Sequence, residues 1–200
     1  MGRSMIHLNG DILCSIDCET TGLVAGFHDL IQICILPLDA AIRPVTTIPP
    51  FYTLLQMKRP DNVDPKAMKV NGLKTGDIQL NGLDPWRAAD LLEEWIAKLD
   101  LDRGKKISPL AQNWAFDKGF ITDWLGGPTF DSLISYKGRD TMTTSLYLND
   151  RADHHVEPVP FAKNGLKYLC STLKVENTRS HDALQDCIST AEVYRRMLTV

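Results

Sequence analysis

Three short segments of this sequence carry the side chains that phosphate or ester hydrolysis would need. Asp17 and Glu19 stand two apart at the end of an apolar run, Ile12 to Cys18, that reads as a buried strand. A period of two turns both carboxylates to one face. At ~4 Å they would repel by roughly 4 kcal/mol at an effective dielectric of 20. No basic residue is adjacent in sequence to offset that. A hard divalent cation, which takes oxygen ligands, would do so. The bland alternative is a chance D-x-E at a solvated strand end. The backbone-rich turn Thr20-Thr21-Gly22-Leu23 beside the pair favours a site.

The second segment is Asn113 to Asp117, just after another apolar run. Asn113 and Asp117 are four apart, which puts them on one helix face. Beside the first strand, Asp117 would add a third carboxylate. Its bland reading is a solvated Asp behind an Asn cap. The third segment runs from His181 to Asp186 and opens the last helix. An unperturbed histidine has a pKa of ~6.5, suited to taking a proton from water near neutral pH. Asp186 would be a fourth carboxylate, whereas Asp182 reads as helix-terminus electrostatics.

The elements that must position these groups follow from punctuation and period. Leu30 to Leu38 and Phe51 to Met57 read as the second and third strands of an antiparallel meander, with Pro49 and Pro50 delaying the third. Asp64-Pro65 and Asp84-Pro85 each pair an N-cap with proline at the first helical position. The first helix ends near Asn71-Gly72; the second carries Ala89, Leu92, Trp95, Ile96 and Leu99 at helical spacing. Lys106 to Ala111 predicts a fourth strand, Trp114 to Leu125 a helix, and Thr129 to Ile134 a fifth strand. Asp140 caps a further helix, and Asn149 to Asn164 reads as a loop. Leu166 to Leu173 and Ala183 to Leu198 close the chain as helices. Leu184, Cys187, Ile188, Ala191, Tyr194 and Leu198 are the expected apolar stripe of the last. This pattern is an α/β sandwich in which the fourth strand lies parallel to the first. Ligands in such sheets sit outside the carboxyl ends of the central strands, where Asp17 and Glu19 fall.

With 200 residues, 44% of them hydrophobic, the chain has the composition of one globular domain. The net charge of −3 excludes a polybasic nucleic-acid binder. Five cysteines without CxxC spacing argue against a disulfide framework or a zinc site and for a reducing compartment, the cytoplasm. Met1 to Asn9 lacks the apolar stretch of a signal peptide, and no run approaches the ~18 residues of a membrane span, so no membrane partner is expected.

Taken together, the segments IDCETTGL, AQNWAFDKGF and HDALQD resemble the DnaQ-like 3′→5′ exonucleases of the DEDDh group, which share an RNase H-like fold. The resemblance covers about residues 11 to 198. It implies an RNase H-like α/β sandwich: a mixed five-stranded sheet of order 3-2-1-4-5, strand 2 antiparallel, flanked by helices. It also implies a single exonuclease domain over residues 1–200, with residues 1–10 partly tag or disordered. On this resemblance Asp17, Glu19, Asp117 and Asp186 hold two divalent cations, Mg²⁺ or Mn²⁺, with Asp17 shared, and His181 is the general base. Backbone at Thr20 and Thr21 holds the terminal 3′-hydroxyl, Leu23 wedges against the last base, and Asn113 and Phe116 support the site. Four carboxylates then balance two dications, so a mildly acidic chain can accept a polyanion. The implied partner is a nucleic acid 3′ end, single-stranded DNA before RNA. A polymerase partner is not indicated, since 200 residues leave little room for a docking tail. The sequence does not reveal an oligomeric state. Asp182, directly after the base, departs from what relatives often carry.

Three other readings compete. An RNA trimmer of oligoribonuclease-like or RNase T-like type would use the same residues. A haloacid-dehalogenase-type phosphatase begins with D-x-D-x-T, which Asp17 to Thr21 approach, but Glu19 and the His181 segment fit it poorly. An inactive RNase H-like binding module need not have kept every carboxylate and the histidine. His154-His155 reads as a solvated loop pair and Lys105-Lys106 as a solvated strand start. The four tryptophans read as core or helix-packing residues, Trp114 beside Asn113 being the one that could meet a base.

Overall fold

The computed structural model describes His7 and residues 10–178 and 181–200. The expectation of tag or disorder in residues 1–10 otherwise lies outside the described residues. The sheet is organised around β1 (Ile12–Thr20), a central strand with β2 (Leu30–Pro37) antiparallel on one side and β4 (Ile107–Ala111) parallel on the other. β3 (Phe51–Leu54) extends the sheet beyond β2, and β5 (Arg139–Asp140) lies parallel to β4. The order is β3-β2-β1-β4-β5, as expected.

Alternation along β1 sends its residues to two different cores. Ile12, Cys14, Ile16 and Cys18 join the core that holds Leu92 and Trp95 of α3 (Pro85–Ala97) and Phe120, Ile121 and Trp124 of α4 (Trp114–Leu125). Leu13 faces the other way, with Cys34, Leu36 and Leu110, onto Ala183, Cys187 and Ala191 of α8 (Ala183–Met197). A third cluster joins Leu148 of α6 (Thr141–His154), Leu169 and Cys170 of α7 (Leu166–Thr172), and Val193 and Met197 of α8. Each fully buried Ile or Leu contributes ~1.5–3 kcal/mol relative to exposure. The central strand is therefore the best-anchored element.

Several expectations change. Residues 127–133 form a helix, α5 (Gly127–Leu133), rather than a strand. Pro128 occupies its first turn, where the missing N–H does no harm, and Phe130 plugs the core. The fifth strand is only Arg139–Asp140, too short to carry a periodicity. The segment after Gly72 forms α2 (Thr75–Asn81), which buries Ile78 and follows α1 (Pro65–Asn71). The loop expected from Asn149 starts later, because α6 continues to His154 by burying Leu148 and Ala152. Along α8 the buried residues are Ala183, Asp186, Cys187, Ser189, Thr190, Ala191, Val193 and Met197; Ile188 and Leu198 are exposed. Wedged between the sheet and α6–α7, this helix needs small side chains on the sheet side. Trp86 is exposed, contrary to the packing expectation, and Lys58 lies over its ring. Trp114 is buried and stacks on Phe130, which rules it out as a base platform in this conformation. Lys106 donates from Nζ to the Asp131 carbonyl. Among the described residues, no helix is long and apolar enough to cross a membrane.

One carboxylate starts two helices. Asp140 Oδ1 accepts the N–H groups of Met142 (2.7 Å) and Thr143 (3.3 Å) at the start of α6. Its Oδ2 accepts Trp114 N–H (2.7 Å), and Oδ1 also takes Asn113 N–H (3.2 Å), at the start of α4. Each such cap is worth ~1 kcal/mol. Asp140→Ala should therefore lower unfolding free energy by roughly 2–3 kcal/mol, read from urea midpoints. A loss below about 0.5 kcal/mol would show the double cap to be idle.

Candidate active site

At the carboxyl end of β1 a cavity of about 450 Å³ is lined by Asp17, Glu19, Asp117, Asp186 and His181. The two layers of the fold supply different members. Asp17 and Glu19 share the strand face that looks toward α8, which brings Asp186 and, just before it, His181. Asp117 comes from the opposite layer. It lies on the buried face of α4 with Phe120, Ile121 and Trp124, at spacings of three, four and seven. There it hydrogen-bonds the Cys18 thiol. Ligand atoms of Glu19, His181 and Asp186 all lie within 4.8 Å of one another.

Asp186 is oriented by two neutral donors. Asn177 Nδ2 reaches Oδ1 (3.0 Å), and His181 N–H reaches Oδ2 (2.9 Å). His181 itself is exposed and has a left-handed backbone, φ +67°, which aims it into the cavity mouth. Asp182 is the N-cap of α8, accepting Gln185 N–H at 3.0 Å, with Tyr52 Oη at 3.5 Å. Ala183 N–H donates to Gln32 Oε1, so the start of α8 is tied to β2.

The turn after β1 is held as tightly. A bulge falls between Glu19 and Thr20 in the pairing with β2. Thr20 Oγ1 donates to the Gly22 carbonyl at 2.6 Å. Thr21, fully buried, donates from Oγ1 to Asn62 O and accepts Asp29 N–H. A Cβ at Gly22 would sit 2.1 Å from the His28 ring, so only glycine fits against that ring. Leu23 projects from this turn, 76% exposed, over the cavity.

Of the expected substrate-binding residues, Thr20, Leu23 and Phe116 line the cavity, whereas Thr21 and Asn113 stand behind it. Asn113 precedes α4 with a left-handed backbone, φ +67°, and so shares no helix face with Asp117. Its side chain makes no cap, because Asp140 does that work. Sequence reasoning missed Asn71 and Gln112. Asn71 is buried at the end of α1 and donates to the Thr20 carbonyl (3.2 Å), fixing the strand end. Its only signal was an Asn-Gly pair, legible as a helix stop and nothing more. Gln112 bridges Thr141 Oγ1 and the Asn164 carbonyl. His154 and His155 stay exposed, outside the cavity.

Electrostatically the cavity is a carboxylate trap. Burial first, then the charges of Asp117, Glu19 and Asp186, push Asp17 well above the usual carboxylate range. Burial, with Asp186 and Asp117 adding to it, raises Glu19 to about 8. Burial raises Asp117 to about 8 against the opposing Cys18 hydrogen bond. Asp186 is also raised by burial, less so because of its two donors. Among the described residues, Lys66 is the only lysine or arginine lining the cavity, and it is exposed. An all-oxygen set of converging, uncompensated carboxylates suits hard divalent cations. The residues present therefore fit a Mg²⁺ or Mn²⁺ site.

Comparison with known proteins places the chain in a family. The family model described as Exonuclease, of RNase T type, matches residues 14–194. The chain is 26% identical over 187 residues to the 3′-5′ DNA exonuclease Cap18 of Escherichia coli, across 92% of this chain and 90% of that one. A solved structure of exonuclease I superposes over 94% of the chain with a TM-score of 0.74 at 14% identity. A zinc-bound complex of Escherichia coli exonuclease I with single-stranded DNA does so with a TM-score of 0.72 at 15% identity. The chain spans 40% of each exonuclease I chain, and at such identities the likeness speaks for the fold alone. The family match runs through all three motif segments and nearly the whole chain, and on that ground the chain belongs to the DnaQ-like family of 3′–5′ exonucleases.

Proposed function

We propose that this exonuclease is metal-dependent and removes nucleoside 5′-monophosphates from the 3′ ends of single-stranded DNA. The observation that carries the reading is the convergence of Asp17, Glu19, Asp117, Asp186 and His181 on one cavity. Asp17, Glu19, Asp117 and Asp186 would hold two divalent cations, Mg²⁺ or Mn²⁺, which when bound neutralise the four carboxylates and supply Lewis acidity to the phosphate. DNA rather than RNA is favoured by the 26% identical relative, itself named a DNA exonuclease.

His181 takes a proton from the attacking water. The water oxygen forms a bond to phosphorus as the bond from phosphorus to the 3′-oxygen breaks in line. That 3′-oxygen becomes the new strand terminus, and the released nucleotide keeps the phosphate on its 5′ side. Leu23, Val70 and Phe116 give the terminal base an apolar wall. The pinned Thr20–Thr21 turn presents backbone to the 3′-hydroxyl. Exposure of His181 at the mouth lets the proton leave to solvent. The five cysteines are all free and buried, which fits a reducing cytoplasm.

The test is initial rates on matched single-stranded DNA and RNA with Mg²⁺ and with chelator. DNA should be the faster substrate and chelator should stop both reactions; a faster RNA reaction would make the enzyme an RNA trimmer. His181→Ala should cut turnover by ~10²–10⁴, with the Mg²⁺-induced rise in Tm retained. Loss of that rise would make His181 a ligand rather than the base. Asp17→Asn should bring turnover below detection, and wild-type turnover there would refute the shared-ligand role. A pH effect follows from the raised carboxylates. Unfolded Glu and Asp titrate at ~4.3 and ~3.9, whereas folded, metal-free Glu19 and Asp117 titrate at about 8. Between those limits the folded state binds more protons than the unfolded one. Metal-free stability therefore falls as pH rises from about 4 to about 8. Added Mg²⁺ should raise Tm more at pH 8 than at pH 5, and an equal rise at both would contradict the coupling.

A further inference from the structure

We infer that the groove beside α7 is a phosphate subsite for the strand upstream of the scissile bond, with Lys163 and Lys167 as its cations. The inference rests on the exonuclease reading above. This groove, about 690 Å³, shares Leu166, His181 and Asp186 with the catalytic cavity, so the two form one continuous channel. The catalytic cavity has an apolar wall and an acidic floor, which suit one base and a metal-held phosphate. Among the described residues it offers the next phosphodiesters no cation on the His181 side. The adjoining groove does: Lys163 and Lys167 line it, both exposed, and neither forms an ion pair among the described residues. A Cβ placed at Gly165 meets no atom within 4 Å, so the groove is open beside Gly165.

The segment that carries Lys163 is fixed on both sides. Asn149 and Phe161 exchange two hydrogen bonds, Nδ2 to carbonyl at 2.6 Å and N–H to Oδ1 at 3.0 Å. Ala162 N–H donates to Tyr168 Oη at 3.2 Å. The Asn164 carbonyl accepts Gln112 Nε2 at 2.8 Å, and Gln112 lines the catalytic cavity. An exposed lysine flanked by three pinned residues is held ready for its ligand, which reduces the ordering cost of binding. Lysine is a compact point charge that suits phosphate without reading sequence. The ligand class is therefore the phosphodiester backbone of a single strand, independent of its bases.

The experiment compares wild type, Lys163→Ala/Lys167→Ala and Lys163→Arg/Lys167→Arg. Each is assayed on a single-stranded DNA decamer over a series of NaCl concentrations and on the p-nitrophenyl ester of thymidine 5′-monophosphate, which has no upstream phosphate. For the alanine pair, KM on the decamer should rise roughly tenfold, the scale of lost charge-assisted contacts. The slope of log(kcat/KM) against log[NaCl] should become shallower by about 1.4, or ~0.7 for each lost phosphate contact. The defect should be smaller on the ester than on the decamer, and the arginine pair should restore most of the decamer KM. Equal decamer KM and salt slope in wild type and the alanine pair would overturn the subsite while leaving the exonuclease reading intact. A wild-type enzyme that hydrolyses neither substrate would overturn the exonuclease reading, and the subsite with it.

Discussion

Four carboxylates that repel one another are held in one partly buried cavity, and the surrounding structure is organised to keep them there. Burial raises the proton affinity of every one, and the charges of the other members add to it at Asp17 and Glu19. Left mobile, such groups would splay toward water. The fold prevents this by rooting them in three different rigid elements. β1 carries two of them and is paired on both sides. α4 carries the third on its apolar face, and α8 the fourth at a capped start. Because the elements come from opposite layers of the sheet, the cluster cannot relax without separating those layers.

The supporting contacts sit at the ends of elements rather than in their middles. Asp140 clips the start of α4 to the start of α6, so the helix that presents Asp117 begins at a fixed point. Asn71 fastens α1 to the Thr20 carbonyl at the end of β1. Gln32 fastens β2 to the start of α8. These buried or half-buried polar residues each satisfy backbone groups that element ends leave open. The result is a pre-organised site whose four carboxylates are carried on a strand and two helices.

Much of this was legible in the sequence, and for a physical reason. A carboxylate at a buried position violates the rule that pattern reading relies on. Asp17 and Glu19 were legible in this way, as an uncompensated D-x-E ending an apolar run, whereas Asp117 and Asp186 were read from the segments that resemble the family's motifs. The meander of the first three strands and the parallel fourth also followed from apolar runs and crossover lengths, whereas the full order was implied by the family resemblance. Other features leave no local trace. A two-residue strand at Arg139–Asp140 has no period. The helix at Gly127–Leu133 shares its short apolar content with a strand, and only Pro128 tips the balance. The stripe of α8 was misread because Ser189 and Thr190 pack inward in the crevice between sheet and helices, where small size matters more than polarity. The double role of Asp140 is a tertiary fact, since two helices 27 residues apart in starting position meet at one side chain.

The choice of hydrogen-bond donors separates the site from the rest of the surface. Outside the cavity, acidic groups are matched with arginine: Arg59 with Asp29 and Asp123, and Arg195 and Arg196 with Glu192. Inside it, none of the described ion pairs involves Asp17, Glu19, Asp117 or Asp186. Asp117 and Asp186 are oriented by a thiol, an amide and a backbone N–H. An arginine in their place would hold the same geometry and also neutralise the charge, leaving nothing for a dication to bind. Neutral donors fix direction while preserving the electrostatic deficit. The raised proton affinity of the cluster is the consequence of that choice, and it is the same deficit that gives a divalent cation its driving force.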